Sequence, residues 1–376
     1  MERAVYRIID ANFNRAREAL RVIEEFCRFA LNSAPLTERA KQLRHELSAA
    51  INKLDAAHLL SSRDTLGDVG APLLAPASRR GYPGQWPGLI ERTDLKSTFT
   101  AACKRLTEAL RTLTEMTQTQ NRSIAQILEK LRFDAYALEK DIVLFAEPAE
   151  KFKRVKLYVI ISSNLPADII CLTQRCVAGG ADCIQLRSKD INDDMLFAVA
   201  VEFVKVCKDA GVLSIINDRV DVAVAAGADG VHLGQNDLPI EQARKLQLAP
   251  LIIGQSTHSL EQLSPFLPLA RGRGTYKALP TYVSLGPVFS TGTKPTAQPV
   301  GLDYVRKATQ QLTDTGISHV AIGGITLDNV EEVLKAGAQA VAVCSAVTEV
   351  DDPTKACRAL KQKITTFKKN KPSTPA

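Results

Sequence analysis

The sequence lacks several features that would place the protein in a membrane, outside the cell or around a zinc ion. Its 376 residues contain no run of about 18 apolar residues, which excludes a membrane-spanning helix. The opening segment, MERAVYRIIDANFNRAREAL, carries charges where a secretory signal peptide needs an apolar stretch, so we expect a cytoplasmic protein. The eight cysteines include no C-x-x-C pair and the five histidines show no ligand spacing, so we expect reduced thiols and no zinc site.

The charge balance favours small anionic ligands. A formal net charge of +7 suits anionic small molecules, although it would also suit a weak nucleic-acid binder. The only dense basic run is KQKITTFKKNKPSTPA, which is typical of a frayed helix end and a solvated terminus. We therefore expect small-molecule partners and neither a nucleic-acid nor a membrane partner. The sequence leaves homo-oligomerisation open.

Residues 1–150 predict an all-α domain that contains an internal repeat. Apolar residues recur every three or four positions from Ala16 to Phe26, which predicts a helix that Asp10 or Asn12 could cap. A second helix is predicted from about Leu36 to Leu60, before a Gly/Pro-rich stretch.

The repeat consists of a helix pair that occurs twice. REALRVIEE (residues 17–25) is echoed by TEALRTLTE (107–115), and the LRHEL around Arg44 is echoed by the LRFDA around Arg132. We therefore expect a bundle of about four helices that ends near Pro148.

Residues 151–376 predict a parallel α/β domain. Short apolar runs alternate with helical segments, and continuous apolar runs are typical of parallel strands that are buried on both faces. The runs are LYVIIS, CIQLR, LSIIN, GVHLG, LIIGQS, YVSLGPV, HVAIGG and AVAVC. Eight such runs predict a closed (β/α)8 TIM barrel preceded by the helical bundle. An open doubly wound sheet is the alternative, but no G-x-G-x-x-G follows the first run.

Polar residues follow almost every predicted strand, at the end where TIM barrels carry their active sites. Gln185, Arg187 and Lys189 alternate along an extended chain, so their side chains point to one side. With Lys294 from another strand end, the two cations suit a ligand that bears several phosphate charges. The alternative is a surface ion-pair cluster with Asp190 or Asp194.

Two carboxylates and one glycine turn add further candidates. Asp218 and Asp237 follow neighbouring strands, and paired carboxylates beside a phosphate site suit Mg²⁺. The alternatives are that Asp218 pairs with Arg219 and that Asp237 caps the helix that follows Pro239. The Gly-Gly-Ile turn after strand seven and the Cys-Ser after strand eight predict a backbone phosphate site. Two threonines of the TGTK segment, Thr291 and Thr293, could bind the same anion or a neighbouring one.

These motifs, in this order, resemble thiamine-phosphate synthase over nearly all of residues 157–365. The matching segments are GGADCIQLRSKD, IINDRVDVAVAAGADGVHLGQNDLP, IIGQSTHS, YVSLGPVFSTGTKP, VAIGGITLDNV and the final Cys-Ser. The resemblance implies a transferase of thiamine biosynthesis that uses Mg²⁺. Such an enzyme condenses 4-amino-2-methyl-5-hydroxymethylpyrimidine diphosphate with (carboxy)thiazole phosphate, giving thiamine phosphate and diphosphate.

The resemblance also implies roles for individual residues. The positions that match the pyrimidine-diphosphate site are Gln185, Leu186, Arg187, Ser188, Lys189, Asn217, Ser256 and Lys294. Of these, Arg187, Lys189, Ser256 and Lys294 are the candidate catalytic residues. The positions that match the thiazole-phosphate site are Thr291, Thr293, Gly324, Cys344 and Ser345, and those that match the Mg²⁺ ligands are Asp218 and Asp237.

The chain departs from the family pattern at two places. ARGRGTYKALP looks like a basic insertion before strand six, and Cys344 stands where an aliphatic residue is common. A thiazole-phosphate isomerase on a similar barrel is a second functional hypothesis, but it would not need the cationic clamp or the paired carboxylates. A non-catalytic phosphate sensor is a third, and the intact polar constellation disfavours it.

The helical region resembles a hydroxymethylpyrimidine-phosphate kinase-like domain that is fused to this synthase in some bacteria. RIIDANFNRAREALRVIEEFCRF and SSRDTLGDVG carry this resemblance, although no nucleotide-binding loop is evident. The candidate residues of this domain are Asn12, Asn14, Arg15, Arg21, Glu24, Arg44, His45, Arg63 and Asp64. The alternative is that they form ion pairs on helix surfaces.

Overall fold

A computed structural model of the chain describes residues 2–63, 94–247, 249–267, 278–292, 297–313 and 315–370. The chain divides into two compact units, Met1–Ile142 and Val143–Ala376. The division lies inside one long helix, whereas the sequence placed the domain boundary after residue 150. No helix in the described part of the chain is long and apolar enough to cross a membrane.

The first unit is built from α-helices, and the predicted all-α region is confirmed. Its helices are α1 (Glu2–Glu25), α2 (Ala34–Ile51), α3 (Ala56–Ser61), α4 (Leu95–Gln118) and the first part of α5 (Arg122–Lys153). A short π-helical segment, Phe26–Ala30, follows α1. α1 packs along α4, and the buried residues at this contact include Leu20 and Ile23 from the first repeat and Leu110 and Leu113 from the second. The repeated apolar positions therefore supply the core of this unit.

The predicted capping of the first helix is wrong. α1 begins at Glu2 and continues through Asp10 and Asn12. The Asn12 amide donates instead to the carbonyl of Ile8 at 2.9 Å, within the helix. Buried Ile9 extends the apolar stripe toward the amino terminus, so tertiary packing continues the helix past both potential caps.

The helix predicted from Leu36 to Leu60 is two helices. α2 ends at Ile51 and α3 begins at Ala56. Asp55 caps α3, since its carboxylate accepts hydrogen bonds from the backbone N–H groups of Ala57 and His58.

Pro148, which the sequence analysis took as the mark of the domain boundary, lies inside a helix. α5 continues through Pro148 to Lys153. A proline inside a helix removes one backbone hydrogen bond and normally breaks or kinks it. Phe145 and Phe152 lie on either side of the proline and are both buried, so packing supports this part of the helix.

The second unit contains a closed barrel of eight parallel strands in sequence order, so the predicted TIM barrel is confirmed. The strands are β1 (Leu157–Ser162), β2 (Cys183–Arg187), β3 (Leu213–Asn217), β4 (Gly230–Leu233), β5 (Ile252–Thr257), β6 (Tyr282–Leu285), β7 (Ser318–Ile322) and β8 (Ala340–Val343). Each strand pairs with the next, and β8 pairs with β1. All strand carboxyl ends therefore meet at one rim.

Helices follow the strands around the barrel. They are α6 (Pro166–Ala178), α7 (Asp193–Asp209), α8 (Val220–Ala226), α9 (Ile240–Leu246), α10 (Leu260–Leu263), α11 (Gly301–Gln311), α12 (Val330–Lys335), α13 (Ser345–Thr348) and α14 (Pro353–Asn370). A single 3₁₀ turn, Ser264–Phe266, follows α10.

The end of α5 closes the amino-terminal end of the barrel interior. The Phe152 ring stacks on Tyr282, with ring centroids 4.0 Å apart and planes 4° from parallel. The same ring meets the edge of Tyr158 at 6.3 Å. Phe152 belongs to a buried cluster that also contains Ile215 and Val320 from other strands. The barrel core is therefore completed by a residue that precedes the first strand.

We predict that Phe152→Ala lowers the free energy of unfolding by about 3–5 kcal/mol, because Phe152 is 1% exposed and its removal leaves a cavity. Urea unfolding followed by circular dichroism measures the change. Phe197→Ala is the control, since Phe197 is 42% exposed on α7 and should cost little. Equal effects of the two substitutions would show that Phe152 does not complete the core.

Candidate active site

The predicted cations lie at the rim, beside the end of β1. The register of β1 and β2 sets Ser162 opposite Arg187, and the Arg187 guanidinium donates to the Ser162 hydroxyl at 2.9 Å. Lys189 is exposed just beyond the end of β2. Within the described residues, neither cation lies within salt-bridge distance of Asp190 or Asp194, so the predicted alternative of an ion-pair cluster is wrong. Arg187 and Lys189 remain available to an anion at this rim.

The two predicted carboxylates are neighbours. The pKa of Asp218 is raised to about 6, chiefly by burial and then by a hydrogen bond with Asp237 and the charge of that carboxyl. The positive charges of Lys189 and Arg187 act in the opposite direction and lower the Asp218 pKa. Two carboxyls and two cations are thus close enough to interact electrostatically. A cation bound at the carboxyl pair would relieve the repulsion between them.

The backbone at Asp218 is strained. Its φ angle is 62°, in the left-handed region that non-glycine residues rarely adopt. Its backbone N–H donates to the carbonyl of His232 on β4 at 2.8 Å, which helps to hold this conformation. Strained backbone persists only where the surrounding structure stabilises it, and it is found most often at functional sites.

Both structural alternatives for these carboxylates are wrong. Arg219 forms its ion pairs with Asp193 and Asp221 rather than with Asp218. The Asp237 carboxylate accepts a hydrogen bond from the backbone N–H of Gly234 at 2.6 Å, and α9 begins without a side-chain cap. Asp218 therefore does not pair with Arg219, and Asp237 does not cap the helix.

A buried chain of hydrogen bonds crosses the barrel interior between two predicted site residues. The Gln185 amide donates to the Tyr158 hydroxyl at 2.9 Å, and the hydroxyls of Tyr158 and Tyr282 lie 2.9 Å apart. His232 continues the chain, with Nδ1 at 2.9 Å from the Tyr282 hydroxyl and Nε2 at 3.0 Å from the Ser256 hydroxyl. Burial raises the pKa of both tyrosines well above the ordinary value, so both phenols are neutral.

One arrangement of protons satisfies every contact in this chain. The Gln185 amide nitrogen can only donate, so the Tyr158 oxygen accepts, and in this arrangement the Tyr158 proton is directed to Tyr282. Tyr282 then donates to Nδ1 of His232, and the Nε2–H of His232 donates to Ser256. The Ser256 hydroxyl proton is left to point toward a ligand. This chain of hydrogen bonds therefore orients both the Gln185 amide and the Ser256 hydroxyl.

A glycine leaves the space for this chain. A Cβ atom at Gly254 would lie 2.2 Å from the Tyr282 ring and 2.5 Å from Nδ1 of His232, which no side chain could tolerate. Sequence reasoning missed Tyr158, Tyr282 and His232, because each stands within an apolar strand run. The signal that could have found them is a polar group placed on a strand with both faces buried, where it needs a hydrogen-bond partner.

The glycine turn after β7 lies against the loop that follows β6. Gly324 has a φ angle of 64°, and a Cβ atom there would lie 2.4 Å from the carbonyl oxygen of Ser290. The Phe289 N–H donates to the carbonyl of Gly323 at 3.0 Å, and the Asn329 amide donates to that of Gly324 at 2.9 Å. The turn is thereby fixed in a conformation that requires glycine at position 324.

The remaining rim residues are distributed over four strand ends. Cys344 and Ser345 follow β8, next to the glycine turn, and Ser345 is the first residue of α13. Thr291 is half-buried after β6. Thr293 and Lys294, as well as most of the basic insertion predicted before strand six, lie outside the described residues. The other predicted contacts are Leu186, which is buried, Ser188, whose hydroxyl donates to Asn164 at 2.9 Å, and Asn217, which is half-buried at the end of β3.

In the helical unit, the candidate residues form ion pairs and helix hydrogen bonds. Arg63 donates two hydrogen bonds of 2.7 Å to the Asp10 carboxylate. Arg44 donates to Glu24 at 2.9 Å, and Arg21 pairs with Glu24 at 3.5 Å. The Asn14 amide donates to the Asp10 carbonyl, and Arg15 and His45 are exposed, whereas Asp64 lies outside the described residues. The ion pairs that the alternative predicted are present.

Comparison with known proteins agrees with this architecture. Residues 157–347 match the family model described as thiamine monophosphate synthase, and residues 7–141 match the model described as the ThiD2 family. A protein of Synechocystis sp. named thiamine-phosphate synthase is 37% identical over 357 residues, which are 95% of each chain. One of Rhodopirellula baltica with the same name is 36% identical over 93% of this chain and 90% of its own length.

A solved structure resembles the barrel region. It is titled thiamine phosphate pyrophosphorylase from Pyrococcus furiosus, with 34% identity and a TM-score of 0.50. The match covers 58% of this chain and 98% of that one. The similarity to the full-length relatives therefore includes the helical unit, whereas the similarity to this structure does not require it.

We predict that Tyr282→Phe lowers the free energy of unfolding by about 1–3 kcal/mol, because it leaves buried groups of His232 and Tyr158 without their partner. Tyr158→Phe should have a similar effect. The double variant should lose less than the sum of the two, because the hydroxyls contact each other. Urea unfolding of the four proteins completes the cycle. Additive losses would show that the hydroxyls act independently.

Proposed function

This chain belongs to the thiamine-phosphate synthase family, and we propose that its barrel condenses hydroxymethylpyrimidine diphosphate with (carboxy)thiazole phosphate. The products are thiamine phosphate and diphosphate. The observation that carries the proposal is the meeting of two cations with two carboxyls at the carboxyl ends of the strands. A thiazole-phosphate isomerase would have no diphosphate to clamp and would need neither pair.

Arg187 and Lys189 are proposed to hold the diphosphate and to stabilise it as it departs. Neither is tied into a salt bridge in the described part of the chain, so both can turn to an anionic leaving group. Positive charge that is already in place where negative charge develops lowers the barrier without further reorganisation. Lys294 is proposed to join them on the strength of the sequence motif, since it lies outside the described residues.

Asp218 and Asp237 fit a divalent cation. They are oxygen donors at neighbouring strand ends, and burial together with the adjacent Asp237 carboxyl raises the pKa of Asp218. No group of three or more His, Cys, Asp or Glu side chains that could hold a metal occurs in the described residues. Two carboxylates with substrate phosphates and water are a usual Mg²⁺ environment. Bound Mg²⁺ would supply positive charge to the diphosphate.

The remaining residues are proposed to orient the two reactants. Departure of diphosphate leaves an electron-poor pyrimidine methylene carbon, which the thiazole nitrogen captures. Gln185 and Ser256 present a fixed donor pattern near the pyrimidine, because the buried chain sets their orientation. Gly324 and Ser345 are proposed to hold the thiazole phosphate through backbone N–H groups. The scheme needs no general base.

For the helical unit, we propose the kinase activity that its family resemblance implies. Phosphorylation of hydroxymethylpyrimidine phosphate would yield the diphosphate that the barrel consumes. The match of residues 7–141 to the ThiD2 family supports this division of labour. The test supplies the full chain with the monophosphate and ATP and follows the diphosphate by mass spectrometry. If no diphosphate forms, the helical unit is not the proposed kinase, and this conclusion does not depend on the activity of the barrel.

The synthase assignment is tested by incubating the full chain with both phosphorylated substrates and Mg²⁺. We expect thiamine phosphate and diphosphate in equal amounts, measured by liquid chromatography. Release of a rearranged thiazole phosphate without condensation would support the isomerase instead.

We predict that Arg187→Ala lowers turnover by about 30- to 1,000-fold, which corresponds to about 2–4 kcal/mol of lost transition-state stabilisation. The KM for thiazole phosphate should change little, because the guanidinium is assigned to the diphosphate. Arg306→Ala is the control, since Arg306 forms an exposed ion pair with Asp303 on α11. A selective rise in the KM for thiazole phosphate would show that Arg187 contacts the thiazole phosphate and not the diphosphate.

We predict that Asp218→Asn lowers Mg²⁺-dependent turnover by about 100-fold or more, because a charged ligand is lost while the left-handed backbone remains acceptable to asparagine. The dependence of rate on Mg²⁺ concentration gives the measurement. Asp221→Asn removes a nearby carboxylate that pairs with Arg219 and should leave this dependence intact. A near-normal rate for Asp218→Asn at limiting Mg²⁺ would contradict the metal assignment.

A further inference from the structure

The two copies of the helix-pair repeat treat their arginines differently. In the first copy, Glu24 lies between Arg21 and Arg44, at 3.5 and 2.9 Å, and is only 7% exposed. Arg21 pairs as well with Glu25 at 2.9 Å. The Glu24 carboxylate thus bridges the arginine of α1 and the arginine of α2.

Alignment of the repeat shows what replaces this carboxylate in the second copy. REALRVIEE and TEALRTLTE match Arg21 with Arg111 and Glu24 with Thr114, while LRHEL and LRFDA match Arg44 with Arg132. The apolar framework is preserved, because matched positions of both copies are buried. The second copy therefore keeps both arginines and lacks the carboxylate between them.

The second copy leaves one of its matched arginines, Arg111, open to an external anion. The hydroxyl of Thr114 donates to the Leu110 carbonyl of its own helix, at 2.9 Å. Arg132 is held by Glu129, with contacts of 2.6 and 3.2 Å. Arg111 lies near enough to Glu129 to help lower the pKa of that carboxyl. In the described part of the chain, however, Arg111 has no carboxylate within 4.0 Å, even though Glu115 stands at the spacing at which Glu25 pairs with Arg21.

A groove between α4 and α5 collects these groups. It has a volume of about 740 Å³, within the size range of small-molecule sites. Its lining residues are Arg111, Thr114, Glu115, Gln118, Arg122, Ala125, Gln126, Glu129 and Arg132. Arg122 is the first residue of α5, and its counterpart at the start of α2 in the first copy is Ala34. Compared with the first copy, the second copy thus carries an additional cation at the start of its second helix and lacks the central carboxylate.

We propose that this groove binds the phosphate group of a small phosphorylated molecule. Arg111 and Arg122 supply the charge, because guanidinium groups recognise phosphate oxygens with paired hydrogen bonds. Gln118 and Gln126 add neutral donors along the same walls. Arg132 is already oriented by Glu129 and by the face of Phe133, 5.0 Å away, and forms the fixed wall of the groove. The site does not depend on the proposed kinase reaction, but a kinase substrate or nucleotide would satisfy its chemistry.

Arginine-specific modification with phenylglyoxal, read at each residue by mass spectrometry, tests this site in the full chain. Inorganic phosphate, diphosphate and ATP should each protect Arg111 and Arg122, and sodium chloride at equal ionic strength should not. Arg21 is the internal control, because Glu24 and Glu25 already occupy it. Stronger protection by ATP would identify a nucleotide as the phosphate source, and equal protection by diphosphate would identify the phosphate group alone. Protection by none of the three would overturn the proposal.

Two substitutions copy the first repeat into the second and sharpen the test. Thr114→Glu restores the central carboxylate, and Arg122→Ala restores the residue found at the start of α2. Each should raise the diphosphate concentration needed for protection of Arg111 by at least tenfold. Arg122 is exposed, so its variant should fold even if Thr114→Glu does not. Unchanged protection of Arg111 in the Arg122→Ala variant would count against the site.

The synthase reaction separates this proposal from the proposed function of the barrel. Both variants should keep the kcat and KM of condensation, because the substitutions lie in the helical unit. The footprint can be read whether or not the barrel makes thiamine phosphate. A failed condensation assay would therefore leave the groove proposal standing, and a failed footprint would leave the synthase standing.

Discussion

The closure of eight parallel strands into one barrel constrains every other feature of the second unit. Because neighbouring strands run in the same direction, their carboxyl ends meet at one rim and residues far apart in sequence become neighbours. This geometry places Arg187 beside Ser162 and Asp218 beside Asp237. The same closure makes the interior a space that must be filled. The barrel fills it with a hydrogen-bonded chain and with Phe152 from α5.

The rim and the interior are therefore parts of one arrangement. Buried hydroxyl and imidazole groups cost stability unless they are paired, so Tyr158, Tyr282 and His232 can be retained only as a connected set. The ends of that set are the Gln185 amide on β2 and the Ser256 hydroxyl on β5. An apolar core would have been simpler to pack. A polar core that ends at two proposed substrate contacts holds them in a fixed orientation, which is what a reaction without a general base requires of its binding groups.

The sequence predicted the strands closely, because parallel strands buried on both faces produce continuous apolar runs that polar residues end sharply. It predicted helix ends less well, since tertiary packing decides them. Asp10 and Asn12 have the chemistry of caps, yet buried Ile9 continues α1 past them, and buried Phe145 and Phe152 continue α5 past Pro148. The rim residues were visible as polar groups after strands. The interior chain was not, because a tyrosine or histidine inside an apolar run gives no sign of which strand will meet it.

The helical unit shows how a duplicated fold can keep its packing and change its chemistry. The buried apolar positions of the two copies match, because a change of side-chain volume there would leave a cavity or overpack the core. The buried polar positions are under a different constraint, because a side chain there needs a hydrogen-bond or ion-pair partner. Replacing Glu24 by its counterpart Thr114 removes a carboxylate without disturbing the apolar framework, because the threonine hydroxyl finds a partner in its own helix. The arginines on either side then either find another carboxylate, as Arg132 does with Glu129, or stay open to solvent and its anions, as Arg111 does. Two polar differences, Thr114 for Glu24 and Arg122 for Ala34, thus change the charge of the second copy while its apolar framework is kept.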